Sequence, residues 1–326
     1  MSKRVFITGG AGYVGTMLVR KLLAEGYTVD SFDLMLFGNT LPKNSKLKIY
    51  EGDIRDEKKL EASLKENTDI FIHLACISND PSFELNPKLG KSINYDCFPT
   101  ILDICKKKNI ERFIYASSSS VYGVKDKPEV TEDEDLFPLT DYSKFKADCE
   151  NILLNYNCNF DKIIIRPATV CGFSYRQRLD VIVNILTNLA FFKKEITVLG
   201  GKQLRPNIHM DDMIEIYLKI IEEKRERVNN QIFNAGCENF SVEAIAEKVK
   251  LIIGDDVNIV KKSTNDNRSY HISSKKIEKH LNFKFKKSIE DAIKDLKDAF
   301  IEKKLVDTFN DKKYFNIKIL KDAKLV

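Results

Sequence analysis

The sequence predicts an α/β protein in which a doubly wound parallel sheet is followed by a smaller C-terminal α/β domain. Two observations carry this prediction. In the first half of the chain, short apolar runs alternate with helical segments, which is typical of parallel strands covered by helices on both faces. From Cys171 onward the segments become shorter and mixed in character. We therefore divide the 326 residues into a domain of residues 1–170 and a domain of residues 171–326.

Composition excludes several classes of protein. Hydrophobic residues make up 43% and charged residues 31% of the chain, as in soluble globular proteins. The net charge of +5 is spread along the chain, which argues against a nucleic-acid partner. We find no leader and no apolar run of membrane-spanning length, so we expect a cytoplasmic protein without a membrane partner. The seven cysteines include no C-x-x-C pair and the four histidines lack ligand spacing, so we expect reduced thiols and no metal.

The first predicted element is a strand that ends in a glycine-rich turn. Residues 4–8 are mostly apolar, and Gly9, Gly12 and Gly15 follow with the spacing G-x-x-G-x-x-G. Val14, Leu18 and Leu22 then recur every four residues, which indicates an amphipathic helix. The free N–H groups at the start of such a helix suit a pyrophosphate. The arrangement is that of a Rossmann-type fold and predicts a bound dinucleotide, although the glycine pattern alone is weak evidence because tight turns use glycine for structure only.

The second strand, residues 28–33, indicates which dinucleotide is bound. It ends in Asp33, eighteen residues after Gly15. A carboxylate at this place binds both ribose hydroxyls of an adenosine and repels a 2′-phosphate. Asp33 therefore favours NAD over NADP, with a turn residue as the alternative.

The remaining elements of the first domain follow in order. We predict strands at residues 46–53, 70–75, 112–117 and 162–166, and helices at residues 56–65, 89–108 and 140–156. Parallel sheets bind ligands at the carboxyl ends of their strands, so the residues directly after each strand are candidates for the site. These candidates are Asp53 and Ile54, Leu74 to Cys76, Ser117 to Ser120, and Pro167 to Thr169.

The second half is predicted to form the smaller domain, which covers the cofactor. We predict strands at residues 195–199 and 231–234, and helices at residues 211–223, 241–253 and 288–303, followed by a tail. Ser241 is a candidate N-cap for its helix.

Tyr142 and Lys146 are the candidate catalytic pair. They lie four residues apart at the start of a predicted helix, so they share one face. A free tyrosine has a pKa of about 10, and a nearby ammonium group lowers that pKa by stabilising the phenolate. Tyr142 would then take a proton from a sugar hydroxyl as hydride leaves the same carbon, and Lys146 could also hold the cofactor ribose. Ser118, directly after the fifth strand, could hydrogen-bond the reacting oxygen, or the four serines there could form a polar loop only.

Together these residues resemble the extended short-chain dehydrogenase/reductase family, and within it the NAD-dependent nucleotide-sugar epimerases and dehydratases. The resemblance spans essentially the whole chain and rests on residues 8–15, Asp33, Asp53 with Ile54, residues 73–75, Asn94, residues 117–123, Tyr142 with Lys146, and residues 205–212. It implies bound NAD, hydride transfer at C4 of a sugar, and a second domain that binds the nucleoside diphosphate. Tyr142 then takes the role of base, Lys146 that of supporting cation and Ser118 that of orienting hydroxyl.

The resemblance assigns further contacts. Those implied for the cofactor are Gly9, Gly12, Tyr13, Val14, Gly15, Asp33, Asp53, Ile54, Leu74, Ala75, Asn94, Ser117, Tyr142, Lys146 and Pro167. Those implied for a nucleotide-diphosphate sugar are Ser118, Ser119, Thr169, Arg176, Arg178, Arg205 and Arg268. Helices 89–108 and 140–156 match the two that pair between subunits in this family, so we expect a homodimer.

Departures from the family pattern narrow the reaction and leave alternatives open. Ser119 and Ser120 stand where 4,6-dehydratases carry an Asp-Glu pair, which argues against a dehydratase. A 4-epimerase remains, but residues 167–172 lack the aromatic-Asn stretch that epimerases usually have after the sixth strand. That segment, with residues 176–180, looks more like a branch that includes GDP-heptose 4-dehydrogenases. A 4-dehydrogenase or 4-ketoreductase is therefore the alternative, and a non-catalytic dinucleotide sensor a further one.

Overall fold

A computed structural model describes residues 3–264 and 269–323 of the chain. Its strands are β1 (Arg4–Thr8), β2 (Thr28–Asp33), β3 (Leu47–Glu51), β4 (Ile70–His73), β5 (Arg112–Ala116), β6 (Asp161–Pro167), β7 (Thr169–Cys171), β8 (Glu195–Leu199), β9 (Leu204–His209), β10 (Gln231–Ala235), β11 (Glu238–Ser241) and β12 (Asn258–Lys262). Its helices are α1 (Gly15–Ala24), α2 (Glu57–Ser63), α3 (Asp80–Phe83), α4 (Pro87–Lys91), α5 (Phe98–Lys107), α6 (Asp141–Asn155), α7 (Ile182–Lys193), α8 (Met210–Glu222), α9 (Arg225–Val228), α10 (Val242–Ile253), α11 (Lys275–Leu281), α12 (Ile289–Ile301) and α13 (Asn316–Asp322).

The predicted doubly wound parallel sheet is confirmed. In the part of the chain that the structure describes, seven strands pair in the order β10-β6-β5-β4-β1-β2-β3, and every pair is parallel. The chain order reverses at β1, whose neighbours are β2 and β4. At such a switch point the loops on the two sides diverge and leave a crevice beyond the carboxyl ends of the strands.

Alternating side chains of each strand fill two separate cores, one on each face of the sheet. In β1, Val5 and Ile7 pack into the core that contains α1 and α8. Phe6 points to the opposite face. There its ring stacks on Phe71 with the ring centroids 5.2 Å apart, and Phe71 stacks on Phe113 of β5 at the same distance. Burial on both faces explains why the strands read as continuous apolar runs.

The long helix predicted at residues 89–108 is interrupted. Between α4 and α5 the backbone forms a π-helical turn, Ser92–Asp96. Pro87 and Pro99 open the two flanking helical segments, where a missing N–H costs little. The wider turn lies at Asn94, whose amide accepts from the backbone N–H of Ile77 at 2.8 Å and donates to its carbonyl at 2.9 Å. Through Asn94, the π-helical turn thus holds the loop that follows β4 in place.

The residues predicted to form the smaller domain contain an apolar core of their own, but some of them pack with the large sheet instead. It contains a three-stranded sheet in the order β11-β9-β7, the pair β12-β8, and helices α7, α10 and α12 around a shared apolar cluster. Ser241 caps α10 as predicted, accepting from the N–H of Ala244 at 3.1 Å. Helix α8 packs on α1, however, and β10 pairs with β6 in the large sheet. Segments after residue 170 therefore also pack in and on the large sheet. The division of the chain at residue 170 stays a prediction.

The segment beyond α12 is folded against the rest of the chain. Leu305 and Tyr314 are buried in a small cluster with Leu179 and Phe300. The N–H of Leu179 donates to the carbonyl of Tyr314 at 2.9 Å, and α13 packs on α3. This segment, predicted only as a tail, therefore reaches the crevice at the strand ends.

Candidate active site

A cavity of about 520 Å³ lies beyond the carboxyl ends of the strands, at the switch point. It brings together segments from both domains and from the region after α12. Its walls include the following residues predicted for cofactor or substrate: Gly9, Gly12, Tyr13, Val14, Gly15, Asp33, Asp53, Ile54, Leu74, Ala75, Ser117, Ser118, Ser119, Tyr142, Lys146, Pro167, Thr169, Arg176, Arg178 and Arg205. Arg268 lies outside the described residues, and Asn94 lies behind the wall, bonded to Ile77.

The turn between β1 and α1 leaves room only for glycine at positions 9 and 15. Gly9 has φ of +78°, and a Cβ built there would lie 2.7 Å from the backbone nitrogen of Ala75. A Cβ on Gly15 would lie 2.2 Å from the carbonyl oxygen of Gly9. Helix α1 starts after Val14 with no side chain capping its first N–H groups. Gly12, Val14 and Gly15 line the cavity, so the start of α1 would hold the pyrophosphate of a dinucleotide there.

Asp33 is the last residue of β2 and lines the cavity beside the glycine turn. Its carboxylate accepts from the N–H of Ala11 at 2.9 Å and from the N–H of Met35 at 2.8 Å. Burial raises the pKa of Asp33, while these backbone donors act in the opposite direction. The two bonds fix the carboxylate beside the glycine turn, where it would hold the adenosine ribose.

We expect Asp33→Ser to lower the affinity for NAD by about 10- to 100-fold, because a charged acceptor for two hydroxyls is lost. Affinity for NADP should not fall with it, since the repulsion of a 2′-phosphate is also removed. Isothermal titration with both cofactors measures the ratio. Asp126→Ser, at an exposed position, is the control. An unchanged ratio of the two affinities would contradict the assignment of Asp33.

Asp53 lies at the far end of the cofactor wall and is already paired. Arg55 donates to its carboxylate from Nη2 at 2.7 Å and from its backbone N–H at 2.9 Å. Burial opposes ionisation, but Arg55 keeps the pKa of Asp53 below its ordinary value. Asp53 is therefore a fixed carboxylate beside Ile54, which suits the edge of an adenine ring.

The three candidate catalytic residues meet on the opposite wall. Tyr142 and Lys146 project from the first turns of α6, which Thr140 caps by accepting from the N–H of Ser143. The Lys146 ammonium donates to the carbonyl of Ala116 at 2.6 Å and lies 6.0 Å from the centroid of the Tyr142 ring. Ser118 follows β5 and lies close enough to Tyr142 to lower the pKa of its phenol. Its hydroxyl also contacts the hydroxyl of Ser120 at 2.8 Å.

The surroundings of Tyr142 oppose its ionisation in the free chain. Burial raises the pKa of Tyr142 most, and Cys76 and Asp80 add to the effect. Arg178 and the neighbouring Ser118 lower the pKa of Tyr142. A phenolate therefore needs further positive charge in the cavity, and a bound oxidised nicotinamide is a group that brings it.

We expect turnover to rise with pH as Tyr142 deprotonates in the cofactor complex. In Lys146→Met this rise should move to higher pH by about 1–3 units, because removal of a nearby cation raises the pKa of the phenol. The pH profile of kcat measures the shift. Lys146→Arg keeps the charge and should keep most of the profile in place. A profile that does not move in Lys146→Met would show that the ammonium does not act on Tyr142.

Behind the serine loop lies a buried polar network that the sequence did not reveal. Arg166 of β6 forms an ion pair with Glu150 of α6, with Nη2 and Oε2 2.6 Å apart and both side chains 3% exposed. Ser117 donates to the same carboxylate. Arg166 also donates to the hydroxyl of Tyr122 at 2.7 Å, and that hydroxyl donates to Asn234 of β10. The network joins β6, β10 and the segment after β5 to α6, and its member Ser117 directly precedes Ser118.

Several further cavity residues were also missed because nothing in their local pattern marks them. They come from the loop after β4, from the start of α3, from α8 and from the segment after α12: Ser78, Asp80, Met213, Tyr217, Asn316 and Leu320. Asp80 accepts from the hydroxyl of Thr140, so it also supports the start of α6.

Three side chains elsewhere come close enough to hold a metal ion: His209, Asp211 and Asp295. Both ring nitrogens of His209 are already engaged. Nδ1 accepts from the N–H of Asp211, and Nε2 lies 3.0 Å from a carboxylate oxygen of Asp295. The group therefore caps α8, and the absence of a metal stays a prediction.

A glycine turn at a helix start, a carboxylate for the ribose, and a tyrosine with a lysine four residues later share one cavity. This constellation defines an oxidoreductase-type site that binds a dinucleotide. The chain belongs to the NAD dependent epimerase/dehydratase family, whose model matches residues 5–236. This confirms the predicted family, an enzyme of that family, and NAD as the cofactor.

Curated relatives agree with this placement, and a solved structure shares the fold. The UDP-glucose 4-epimerase of Lactobacillus helveticus is 26% identical over 274 residues, which cover 78% of this chain and 83% of the relative. The D-erythronate dehydrogenase of Haemophilus influenzae is 34% identical over 176 residues, 52% of this chain and 55% of the relative. The crystal structure of a UDP-glucose 4-epimerase of Thermotoga maritima with UDP-glucose superposes with a TM-score of 0.85 at 24% identity, covering 93% of this chain and all of that chain.

Within residues 3–264 and 269–323, no helix is both long and apolar enough to span a bilayer.

Proposed function

We propose that the protein catalyses NAD-dependent oxidoreduction at C4 of a nucleotide-activated sugar, with 4-epimerisation as the net reaction. The observation that carries the proposal is the convergence of Tyr142, Lys146 and Ser118 on the cavity whose other wall is the glycine turn. The similarity to the UDP-glucose 4-epimerase of Lactobacillus helveticus supports the choice of reaction.

Each side chain has a defined task in this proposal. Bound NAD supplies the hydride acceptor. The Tyr142 phenolate takes the proton of the sugar C4 hydroxyl and returns it when the opposite face is reduced. Ser118 donates a hydrogen bond to the same oxygen, and Lys146 keeps the phenolate ionised. Tyr142 is only 9% exposed and lines the cavity, where it would meet the sugar.

The direct test is incubation of the purified protein with a panel of UDP-, GDP- and dTDP-sugars. Inversion at C4, followed by proton NMR, and the nicotinamide absorbance are read together. Inversion of one sugar without net reduction of the cofactor is the expected result. Absence of turnover with every sugar, in protein that holds NAD, would refute the proposal.

A 4-dehydrogenase or 4-ketoreductase is the second candidate, and one observation favours it. The cavity wall after β6 is formed by Pro167, Ala168 and Thr169, without the aromatic-Asn stretch usual in epimerases. The similarity to the D-erythronate dehydrogenase of Haemophilus influenzae adds support. In this case the isolated protein should carry a persistent NADH absorbance that an added keto acid removes. A non-catalytic sensor would show neither that absorbance nor inversion, and the intact Tyr142 and Lys146 argue against it.

We further propose a site for the nucleoside diphosphate and an oligomeric state. Arg205 of β9 lines the cavity on the side of the smaller domain and suits a diphosphate oxygen.

The segment of α4, the π-helical turn and α5 packs beside α6. The outer faces of these helices are the proposed contact between two subunits in a homodimer. Light scattering coupled to gel filtration should give twice the chain mass of 37.5 kDa.

A further inference from the structure

Two arginines enter the cavity from the loop between β7 and α7. Arg176 is 4% and Arg178 is 8% exposed, and both line the cavity. Arginines are rarely buried to this extent unless a carboxylate or another anion accompanies them. The partners of these two guanidinium groups therefore indicate what the cavity is built to receive.

The bonds of the two guanidinium groups are incomplete. Arg178 donates from Nε to Asp180 at 2.8 Å and from Nη1 to the hydroxyl of Ser78 at 3.2 Å. Arg176 lies over the ring of Phe37 with its Cζ atom 3.7 Å from the centroid, and donates from Nη2 to Asn316 at 2.6 Å. Among the described residues, neither Nη2 of Arg178 nor Nε of Arg176 has an acceptor, although both atoms are buried.

Asp180 and Asp33 both act electrostatically on Arg176, but among the described residues neither forms an ion pair with it. Asp180 is the acid paired with Arg178, whereas Arg176 is bonded to a neutral amide. Burial and the neighbouring Arg178 lower the pKa of Arg176 to about 9. A guanidinium group stays protonated at neutral pH, so both side chains are charged. Each of them also keeps one buried donor without an acceptor. Guanidinium groups with free donors bind phosphate and carboxylate oxygens in particular.

Asn316, the first residue of α13, holds the arrangement together. Its carbonyl oxygen accepts from Arg176, and its amide nitrogen donates to Ser78 at 3.0 Å. Its backbone N–H donates to the second carboxylate oxygen of Asp180 at 2.9 Å. Asn316 thus contacts Arg176 directly, and it contacts Arg178 through two of its partners, Ser78 and Asp180. The residue is 4% exposed, so these bonds are not weakened by water.

We propose that Arg176 and Arg178 form an arginine clamp for an oxyanion of a bound ligand, and that Asn316 is the positioning residue of this clamp. The inference rests on the proposed function, because that function supplies ligands rich in phosphate. The location fits, since Arg176 acts electrostatically on Asp33 at the cofactor wall and Arg178 acts on Tyr142. The oxyanion comes from the diphosphate of a nucleotide or from a carboxylate on the sugar.

The test measures binding rather than turnover and uses anionic probes with their less charged counterparts. The pairs are ADP-ribose with adenosine, UDP with uridine, and UDP-glucuronic acid with UDP-glucose. Isothermal titration on the full chain gives the affinity ratio within each pair. The variants are Arg176→Gln, Arg178→Gln and Asn316→Ala. Arg178→Lys retains a charge, and Asn310→Ala replaces an exposed asparagine of the same segment.

We expect the two glutamine variants to weaken the anionic member of at least one pair by about 10- to 100-fold more than its counterpart, which is the effect of losing a charge-assisted hydrogen bond. The pair that responds names the source of the oxyanion. Asn316→Ala should reduce the same ratio, Arg178→Lys should restore part of it, and Asn310→Ala should leave it unchanged.

Equal losses for both members of every pair, or no loss in any pair, would overturn the clamp. A merely structural role of these residues would lower the melting temperature without changing the ratios. The result is also separable from the proposed function. If the sugar panel shows no turnover and the ratios still fall in the variants, the clamp stands and the proposed reaction fails.

Discussion

Replacing Tyr142 by phenylalanine is expected to reduce kcat by about 10²- to 10⁴-fold, the usual contribution of a positioned general base. The ring of Tyr142 lies 6.5 Å from the ring of Phe83, edge to face, and packing of this kind does not need the hydroxyl. The variant should therefore fold normally and bind NAD. The fall should appear in kcat, with KM for the sugar little changed, because the hydroxyl acts in proton transfer rather than in holding the substrate.

The measurement uses the sugar that the unaltered protein converts, with the bound cofactor quantified in each preparation. Tyr156→Phe is the matched control. Tyr156 follows the other end of α6 and donates to Asp103, away from the cavity. Its loss should leave kcat within a factor of about two of the starting value. Full activity in Tyr142→Phe would remove the base from the proposed mechanism, whichever of the two reactions the protein catalyses.

The cofactor half of the site could be predicted from the sequence because its parts are local. Gly9, Gly12 and Gly15 lie in one turn, and Asp33 ends the next strand, so a single strand–helix–strand unit contains them all. Tyr142 and Lys146 share one helix face by spacing alone. Where the pattern of apolar and polar residues sets both the element and its exposed end, the place of a side chain follows from short-range rules.

The rest of the site depends on contacts between distant parts of the chain. Asn316 meets Arg176 across 140 residues, and Asn234 meets Tyr122 across 112. The periodic pattern of apolar and polar residues contains no information about such pairs. The return of β10 to the large sheet was hidden in the same way, since its residues would also suit an edge strand of the smaller domain. Sequence patterns indicate which face of an element is buried, but not which distant element covers it.

The second large effect concerns stability. Glu150→Gln is expected to lower the free energy of unfolding by about 3–5 kcal/mol, because it leaves the buried Arg166 without its counter-charge. The carboxylate also accepts from Ser117, so the same change loosens the loop that carries Ser118. Glutamine has nearly the same shape as glutamate, and the effect is therefore one of charge and hydrogen bonding rather than of volume.

The chain has no tryptophan, so urea unfolding is best followed by far-ultraviolet circular dichroism. Lys144→Gln on the same helix removes an exposed ion pair with Asp141, whose side chains are 54% and 56% exposed. That control should cost less than about 1 kcal/mol. Replacing both Glu150 and Arg166 by apolar residues should cost less than Glu150→Gln alone, since no unpaired guanidinium group then remains in the core. A loss in Glu150→Gln no larger than in the control would mean that water reaches Arg166, and that the network beside Ser118 is not closed.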